Sequence, residues 1–226
     1  MKVLVLGHKG MLGHMVVKYL RNQNVNVMTT DIRWPEPPFK VDMRLDYVVN
    51  CIGAIPQKAN TFDINWQLPI WLDLHAPCNV IHTGTDREDN SPYCISKSIA
   101  LNYIRQHGKQ TKVIQTSVIG PEIQTSASIF EWFLSENHAV VDGYDNVIWT
   151  GMTTLEWAKQ CYNMICDWDK SPVINTFNTV SSTISKYSLL NNINDVFDKK
   201  VKINKITDVK LITQQLRELK EFYYDK

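Results

Sequence analysis

Residues 2–13 read KVLVLGHKGMLG, and no other stretch of this sequence restricts the fold as tightly. Residues 2–7 are a short apolar run closed by glycine, the pattern of a strand buried on both faces of a parallel sheet. From Met11 the period changes. Leu12, Met15, Val16, Tyr19 and Leu20 recur at helical spacing, and Asn22 and Asn24 mark the helix end. Gly7, Gly10 and Gly13 join strand to helix as G-x-x-G-x-x-G. Such a junction suits a tight first turn, close approach of the backbone to a pyrophosphate and close packing of helix on strand. Free N–H groups at the helix start then face the anion. The pattern predicts a dinucleotide turn built from Gly7, Lys9, Gly10, Met11, Leu12 and Gly13.

A second strand over residues 25–30 ends at Asp31. A carboxylate at that point accepts hydrogen bonds from an adenosine ribose diol and repels a 2′-phosphate. The expected cofactor is therefore NAD or NADP, with NAD favoured. Arg33, just beyond Ile32, supplies a guanidinium that could hold the phosphate of NADP.

The rest of the first half alternates strand and helix. Strands are expected over 39–43, 46–52, 79–82 and 112–116, and helices over 60–74 and 93–106. Phe62, Trp66 and Ile70 mark the apolar face of the first of these helices, and Pro69 should kink or interrupt it. Ile95, Ile99 and Tyr103 share one stripe of the second. Pro35, Pro37 and Pro38 keep the segment before residue 39 out of helix. The order predicts an α/β fold, a Rossmann-like doubly wound parallel sheet. Beyond residue 120 helices are expected over 128–135, 154–167 and 183–197, the last capped by a Ser-Ser-Thr cluster. A short strand is expected over 201–203, and 211–224 is a mixed, charged segment. The expected division is a cofactor domain over 1–120 and a small substrate-binding subdomain over 121–226.

Composition closes other routes. At 226 residues, 44% hydrophobic and 21% charged, the chain can build a core and is not a disordered one. A net charge of +1 without a basic patch argues against a nucleic-acid partner. No apolar run is long enough to span a membrane, and the first apolar stretch is too short for a signal peptide. The cytoplasm is the expected compartment. The five cysteines include no CxxC pair, so reduced thiols are expected and no metal site.

Tyr93 and Lys97 form Y-x-x-x-K, which places both on one helix face. An ammonium there can lower the phenol's pKa and ready it as a proton donor beside a carbonyl. The preceding strand ends in Thr83-Gly84-Thr85, which offers a hydroxyl to fix that carbonyl. Cofactor turn, hydroxyl and tyrosine–lysine pair follow in the order a carbonyl reductase needs.

With these motifs the chain resembles the extended short-chain dehydrogenase/reductases, close to the dTDP-4-dehydrorhamnose reductases. The likeness also covers Asp42-Met43, residues 50–53 (NCIG), Asn65, residues 80–86 (VIHTGTD) and residues 116–120 (TSVIG). It is strongest over 1–120 and thins to residues 185–190 and 205–206. The resemblance implies adenine contacts from Asp42 and Met43, cofactor contacts from Cys51, Ile52, Gly53 and Ser117, and a catalytic set of Thr85, Tyr93 and Lys97. Thr83 is the runner-up for the role of Thr85. Lys97 would also hold the nicotinamide ribose. Thr85, Asp86, Val118 and Trp149 would line the substrate, with Trp149 in a loop before a helix. Phe130, Trp132, Phe133 and Trp157 are core residues first and pocket-wall candidates second, while His82 is expected to be a satisfied core histidine. The implied reaction is NAD(P)H-dependent reduction of a 4-keto-6-deoxy sugar nucleotide, and a homodimer through the tyrosine helix is implied as well.

Two departures bear on this. Residues 86–92 are all that separates Thr85 from Tyr93, where relatives carry a longer insertion. The stretch between Asp42 and Asp46 leaves no room for a helix. Both put the substrate in question more than the cofactor. A non-catalytic dinucleotide-binding subunit is the alternative.

Overall fold

A computed structural model describes residues 1–38, 44–135, 139–177 and 183–207. The strand expected at 39–43, with Asp42 and Met43, and the segment 211–224 lie outside the described residues. The chain divides into two compact units, Met1–Trp132 with Gly151–Thr179, and Phe133–Thr150 with Val180–Lys226. The expected break near residue 120 thus meets a discontinuous division. Residues Gly151–Thr179, downstream of it, return to the first unit, where they give the central sheet a covering helix and an edge strand.

That sheet has the order β10-β5-β4-β3-β1-β2, all pairs parallel. Its strands are β1 (Lys2–Leu6), β2 (Asn26–Thr29), β3 (Tyr47–Asn50), β4 (Asn79–Thr83), β5 (Thr111–Gln115) and β10 (Ile174–Thr176). The first five match the sequence reading; β10 was not anticipated, since three residues, none of them buried, carry almost no periodic signal. Successive side chains of β1 point to opposite faces. Val3 and Val5 join a core with Val16 and Leu20 of α1 (Met11–Asn22) and Trp157 and Cys161 of α5 (Thr154–Cys166). Leu4 and Leu6 join the opposite core with Leu68 and Leu72 of α2 (Ile64–His75). α3 (Pro92–His107) packs beside α2. The chain therefore has a Rossmann-like doubly wound α/β fold.

Two helix expectations fail at the level of faces. α2 buries Asn65, Leu68, Pro69 and Leu72 rather than Phe62, Trp66 and Ile70, and it runs unbroken through Pro69. Burial of the proline ring offsets the lost backbone bond. α3 buries Cys94, Ser96, Lys97, Ala100 and Ile104, which leaves Ile95 (50%) and Ile99 (43%) exposed. The apolar stripe loses the inner face to a lysine because Lys97 is needed at the strand ends.

The remaining first-unit strands, β6 (Val118–Ile119) and β9 (Met152–Thr153), pair in parallel. α4 (Ile129–Ser135) follows the loop after β6. Phe133 and Trp157 are fully buried, as core residues rather than pocket wall. The second unit pairs β7 (Val140–Tyr144) with β12 (Lys202–Ile206) and β8 (Ile148–Thr150) with β11 (Thr183–Ser185). Against them packs α6 (Lys186–Val196) through Leu189, Leu190 and Ile193. The helix expected from residue 183 begins three residues later, because Ser185 is its cap and accepts from the Ser188 N–H at 3.1 Å. The preceding residues are β-branched and pair with β8 instead. Among the described residues no helix is long and apolar enough to cross a membrane.

Candidate active site

β1 leads to β2 on one side and β3 lies on the other, so the strand order reverses at β1. In doubly wound sheets the crevice at the carboxyl ends beside such a reversal is where ligands bind. Three consecutive carboxyl ends, β1, β3 and β4, carry the residues singled out from the sequence.

The glycine turn follows β1. Gly7 has φ +75°, and the Gly10 N–H donates to the Gly7 carbonyl at 2.9 Å, which closes the turn. A Cβ on Gly13 would stand 2.1 Å from that same carbonyl oxygen. Only glycine lets the helix start so close to the strand end. Gly10 caps α1 with no side-chain hydrogen bond, and the first turn holds no acidic residue. The N–H groups of Met11 and Leu12 are thus available to an anion, helped by the helix dipole. The turn also meets the segment after β3: a Cβ on Gly7 would lie 3.1 Å from the Cys51 backbone and from Cγ1 of Ile52. These residues form a cradle whose shape and free donors fit a dinucleotide pyrophosphate.

Asp31 stands just past β2, beside the turn. Lys9 Nζ lies 2.6 Å from its Oδ1 and His8 Nε2 lies 3.7 Å from the same atom. The lysine, with smaller contributions from His8 and Arg33, holds the carboxyl below its ordinary range. Ile32 and Arg33 are exposed beside it.

At the end of β3, Gly53 sits where a Cβ would come within 3.3 Å of both Lys97 Nζ and Asn65 Oδ1. Asn65 is fully buried. It accepts from the Ala54 N–H at 2.7 Å and donates to the Ala54 carbonyl at 3.0 Å and to Ser96 Oγ at 3.1 Å. It pins the segment after β3 to the tyrosine helix. Asn50 braces the same segment: its Oδ1 accepts from the Ile52 N–H at 3.0 Å, and its amide lies 3.1 Å from Nδ1 of His82. Burial keeps His82 well below its normal pKa, so it is a neutral core histidine. Sequence reading matched Asn65 to relatives without giving it a task. An asparagine opening a helix gives no local sign of partners so distant in sequence.

α3 positions the reactive pair. Ser91 caps it by accepting from the Cys94 N–H, and Pro92 occupies the first turn. Tyr93 thus stands at the helix start with Lys97 one turn on. Lys97 Nζ donates to the Thr83 carbonyl at 3.2 Å, and burial pulls its pKa down to about 8. The phenol of Tyr93 packs edge-on against Phe62, with the Thr85 side chain beside it. Burial raises its pKa, and the partial pulls downward come from Thr85 and Arg87. This corrects the expectation that Lys97 draws the phenol's pKa down. The ammonium is held at Thr83 and Gly53, facing the crevice, rather than committed to the phenol.

Beside Thr85, Asp86 accepts a hydrogen bond from Ser117 Oγ, at the foot of β6. Ser117, expected on the cofactor, and Asp86, expected on the substrate, are partners of each other here. Arg87 pairs with Asp89, whose other oxygen accepts from the Ser91 N–H at 2.8 Å, so the short loop 86–92 is internally braced. A cavity of about 400 Å³ opens from Gly84, Thr85 and Lys97 along α3, lined further by Arg87, Arg105 and Gln115. Val118 lies on β6 in the first unit. Trp149 lies on β8 in the second unit, opposite Ile184 of β11, not in the loop expected.

No protein-family model matches the sequence, and neither does any curated protein. Solved structures do match. A dTDP-4-dehydrorhamnose reductase from Clostridium acetobutylicum superposes with a TM-score of 0.71 at 16% identity, over 92% of this chain and 84% of that one. The fold is shared with that enzyme. A dTDP-4-dehydrorhamnose reductase from Bacillus anthracis, solved with NADP, gives 0.66 at 10% identity over 92% and 85%. A dTDP-glucose 4,6-dehydratase from the same organism, solved with NAD, gives 0.65 at 15% over 92% and 85%. The resemblance read from the motifs and the likeness of the folds thus point to one group of structures, and the dehydrorhamnose-reductase fold spans nearly the whole chain.

Proposed function

We propose that this chain is an NAD(P)H-dependent reductase of a 4-keto-6-deoxy sugar nucleotide. The observation that carries the reading is the meeting of Thr85, Tyr93 and buried Lys97 at the strand ends next to the glycine cradle. The folds of a dTDP-4-dehydrorhamnose reductase solved with NADP and of a dTDP-glucose 4,6-dehydratase solved with NAD, both similar to this one, support it.

When bound, the nicotinamide supplies the hydride. Everything else falls to the protein. Gly7, Gly10 and Gly13, with the free N–H groups of Met11 and Leu12, hold the pyrophosphate, while Asp31, Ile32 and Arg33 face the adenosine. Cys51, Ile52 and Gly53 line the path toward Lys97, which holds the nicotinamide ribose. Thr85 donates to the carbonyl oxygen and orients it. Tyr93 gives its proton to that oxygen as it becomes an alkoxide. Burial keeps the phenol protonated, the state a reductase requires. Asp86 and Val118 are assigned to the substrate. The exposed Ile95 and Ile99 on α3 support a homodimer through that helix, and the cytoplasm is the proposed compartment.

The short loop 86–92 favours a second reading, a non-catalytic dinucleotide-binding subunit. Oxidation of NADH or NADPH with a panel of 4-keto-6-deoxy sugar nucleotides separates the two. Turnover that disappears in Tyr93→Phe supports the reductase; tight nucleotide binding without turnover supports the subunit.

A further inference from the structure

The cavity of about 400 Å³ runs well past the reaction centre. It is bounded by α3, β4 and β5, and its walls include Leu101, Arg105 and, in mid-strand, Val113. Arg105 follows Tyr93 by more than three helical turns, about 18 Å along the axis. Neither Tyr93 nor any residue of the glycine turn lines the cavity.

His82 lines it from β4. Strand pairing sets His82 opposite Val113, and Gln115 follows two residues on, so the three share one face of the sheet. Asn50 settles where the imidazole proton sits. Its Oδ1 accepts from the Ile52 N–H at 3.0 Å, which turns its amide nitrogen toward Nδ1 of His82 at 3.1 Å. An amide nitrogen only donates, so Nδ1 is the acceptor and the neutral ring carries its proton on Nε2. The ring is 2% exposed, and among the described residues no group accepts from that N–H. Gln115 is 9% exposed; its Oε1 accepts from Thr176 Oγ1 at 3.2 Å, while its amide nitrogen meets no acceptor among the described residues. Lys97 donates to the Thr83 carbonyl alone. Buried donors without acceptors are costly, and these three line one cavity.

Charge and shape select the occupant. Arg105, exposed at the mouth, pairs with no carboxylate among the described residues. Arg87 and Asp89 neutralise each other on the rim, which leaves Glu88 as its one further acid. The interior offers donors and the charge of Lys97, and Leu101 and Val113 add apolar wall. Such a volume holds a small molecule. We propose that this cavity is a second ligand site, distinct from the crevice at the strand ends, and that it takes a small organic carboxylate. The carboxylate meets the His82 Nε2–H and the Gln115 amide, and the carbon chain lies against Leu101 and Val113. Lys97 belongs to both sites.

Titration of the full chain, carrying isotope-labelled histidine, with butyrate tests this by nuclear magnetic resonance. The His82 Nε2 signal should shift saturably, with a Kd of about 1 mM or below, while the other histidines stay fixed. Arg105→Ala should weaken butyrate by about fivefold or more, and Leu101→Trp, which fills the cavity, should abolish the shift. Circular dichroism checks that each variant folds; if Leu101→Trp does not, the exposed Arg105→Ala decides. Butanol has the chain without the charge and inorganic phosphate the charge without the chain. Each should bind about tenfold more weakly than butyrate, or worse. No shift with butyrate, equal binding of either control, or unchanged affinity in Arg105→Ala overturns the proposal. Displacement of butyrate by dTDP-glucose would make the cavity part of the sugar-nucleotide crevice and overturn it as well, while the reductase reading stands.

Discussion

The crevice carries a lysine at each end, and the two sit in opposite surroundings. At the tyrosine end Lys97 is 6% exposed, its ammonium against a backbone carbonyl and its pKa pulled down to about 8. At the turn end Lys9 is 57% exposed and paired with a carboxylate more exposed still. Burial makes the first lysine's charge costly, position-bound and sensitive to pH. Solvent makes the second one's charge cheap, mobile and sensitive to salt. One residue type is thus a fixed, costly charge at one end and a mobile, cheap one at the other, and local dielectric decides which.

The largest expected effect tests whether the tyrosine end does chemistry at all. Tyr93→Phe should lower kcat by about 10²–10⁴-fold, the usual share of a positioned proton donor, with nucleotide affinity and melting temperature nearly unchanged. A loss of binding to match would place Tyr93 in recognition, and the contrast between the ends would collapse.

Next, Gly13→Ala puts a methyl group 2.1 Å from the Gly7 carbonyl oxygen, where backbone must move. It should cost about 1–3 kcal/mol in denaturant unfolding and abolish nucleotide binding. Retained binding would mean that the cradle does not need this contact.

A comparable loss is expected where two loops meet. Glu122, its side chain 4% exposed, accepts from Lys58 Nζ at 2.6 Å and from the Ser128 N–H at 2.8 Å. The contact joins the loop after β3 to the loop after β6. Glu122→Ala leaves donors unpaired and should cost about 1–3 kcal/mol, measured by urea unfolding.

Lys97 should also reveal itself through pH. Its folded pKa near 8 lies below the ordinary 10.5, so between those values the unfolded chain binds the proton more tightly. The Lys97 contribution to stability therefore rises with pH across that window and is flat below it. The difference in unfolding free energy between wild type and Lys97→Met, followed from pH 7 to 10.5, should grow in favour of wild type. A flat difference would show that Lys97 is solvated like Lys9. Smallest of all, Lys9→Ala should leave the melting temperature unchanged within error, because nothing buried depends on it. A clear drop would erase the distinction drawn between the two ends.

How much of this was legible in the sequence follows the range of the forces involved. The strand-turn-helix at residues 2–22 was readable because its glycines and its two hydrophobic periods are local signals. Five of the six central strands and the order of cofactor turn, hydroxyl and Tyr93–Lys97 were readable for the same reason. The inner face of α3 was not. Its apolar stripe pointed to Ile95 and Ile99, but the fold buries Lys97, a choice that depends on strand ends far away in sequence. β10, β8 and β11 were missed because each is three residues long and exists only through its partner.

The sequence by itself determined the α/β alternation, the glycine cradle and which residue types could do carbonyl chemistry, since these depend on neighbours a few positions apart. Tertiary structure alone decided what those residues face. It paired Lys9 with Asp31 and Ser117 with Asp86, set Thr85 beside the Tyr93 phenol, and buried Lys97 away from water. Charges and pKa values depend on burial and on partners brought together by packing, and no periodicity in the chain records either.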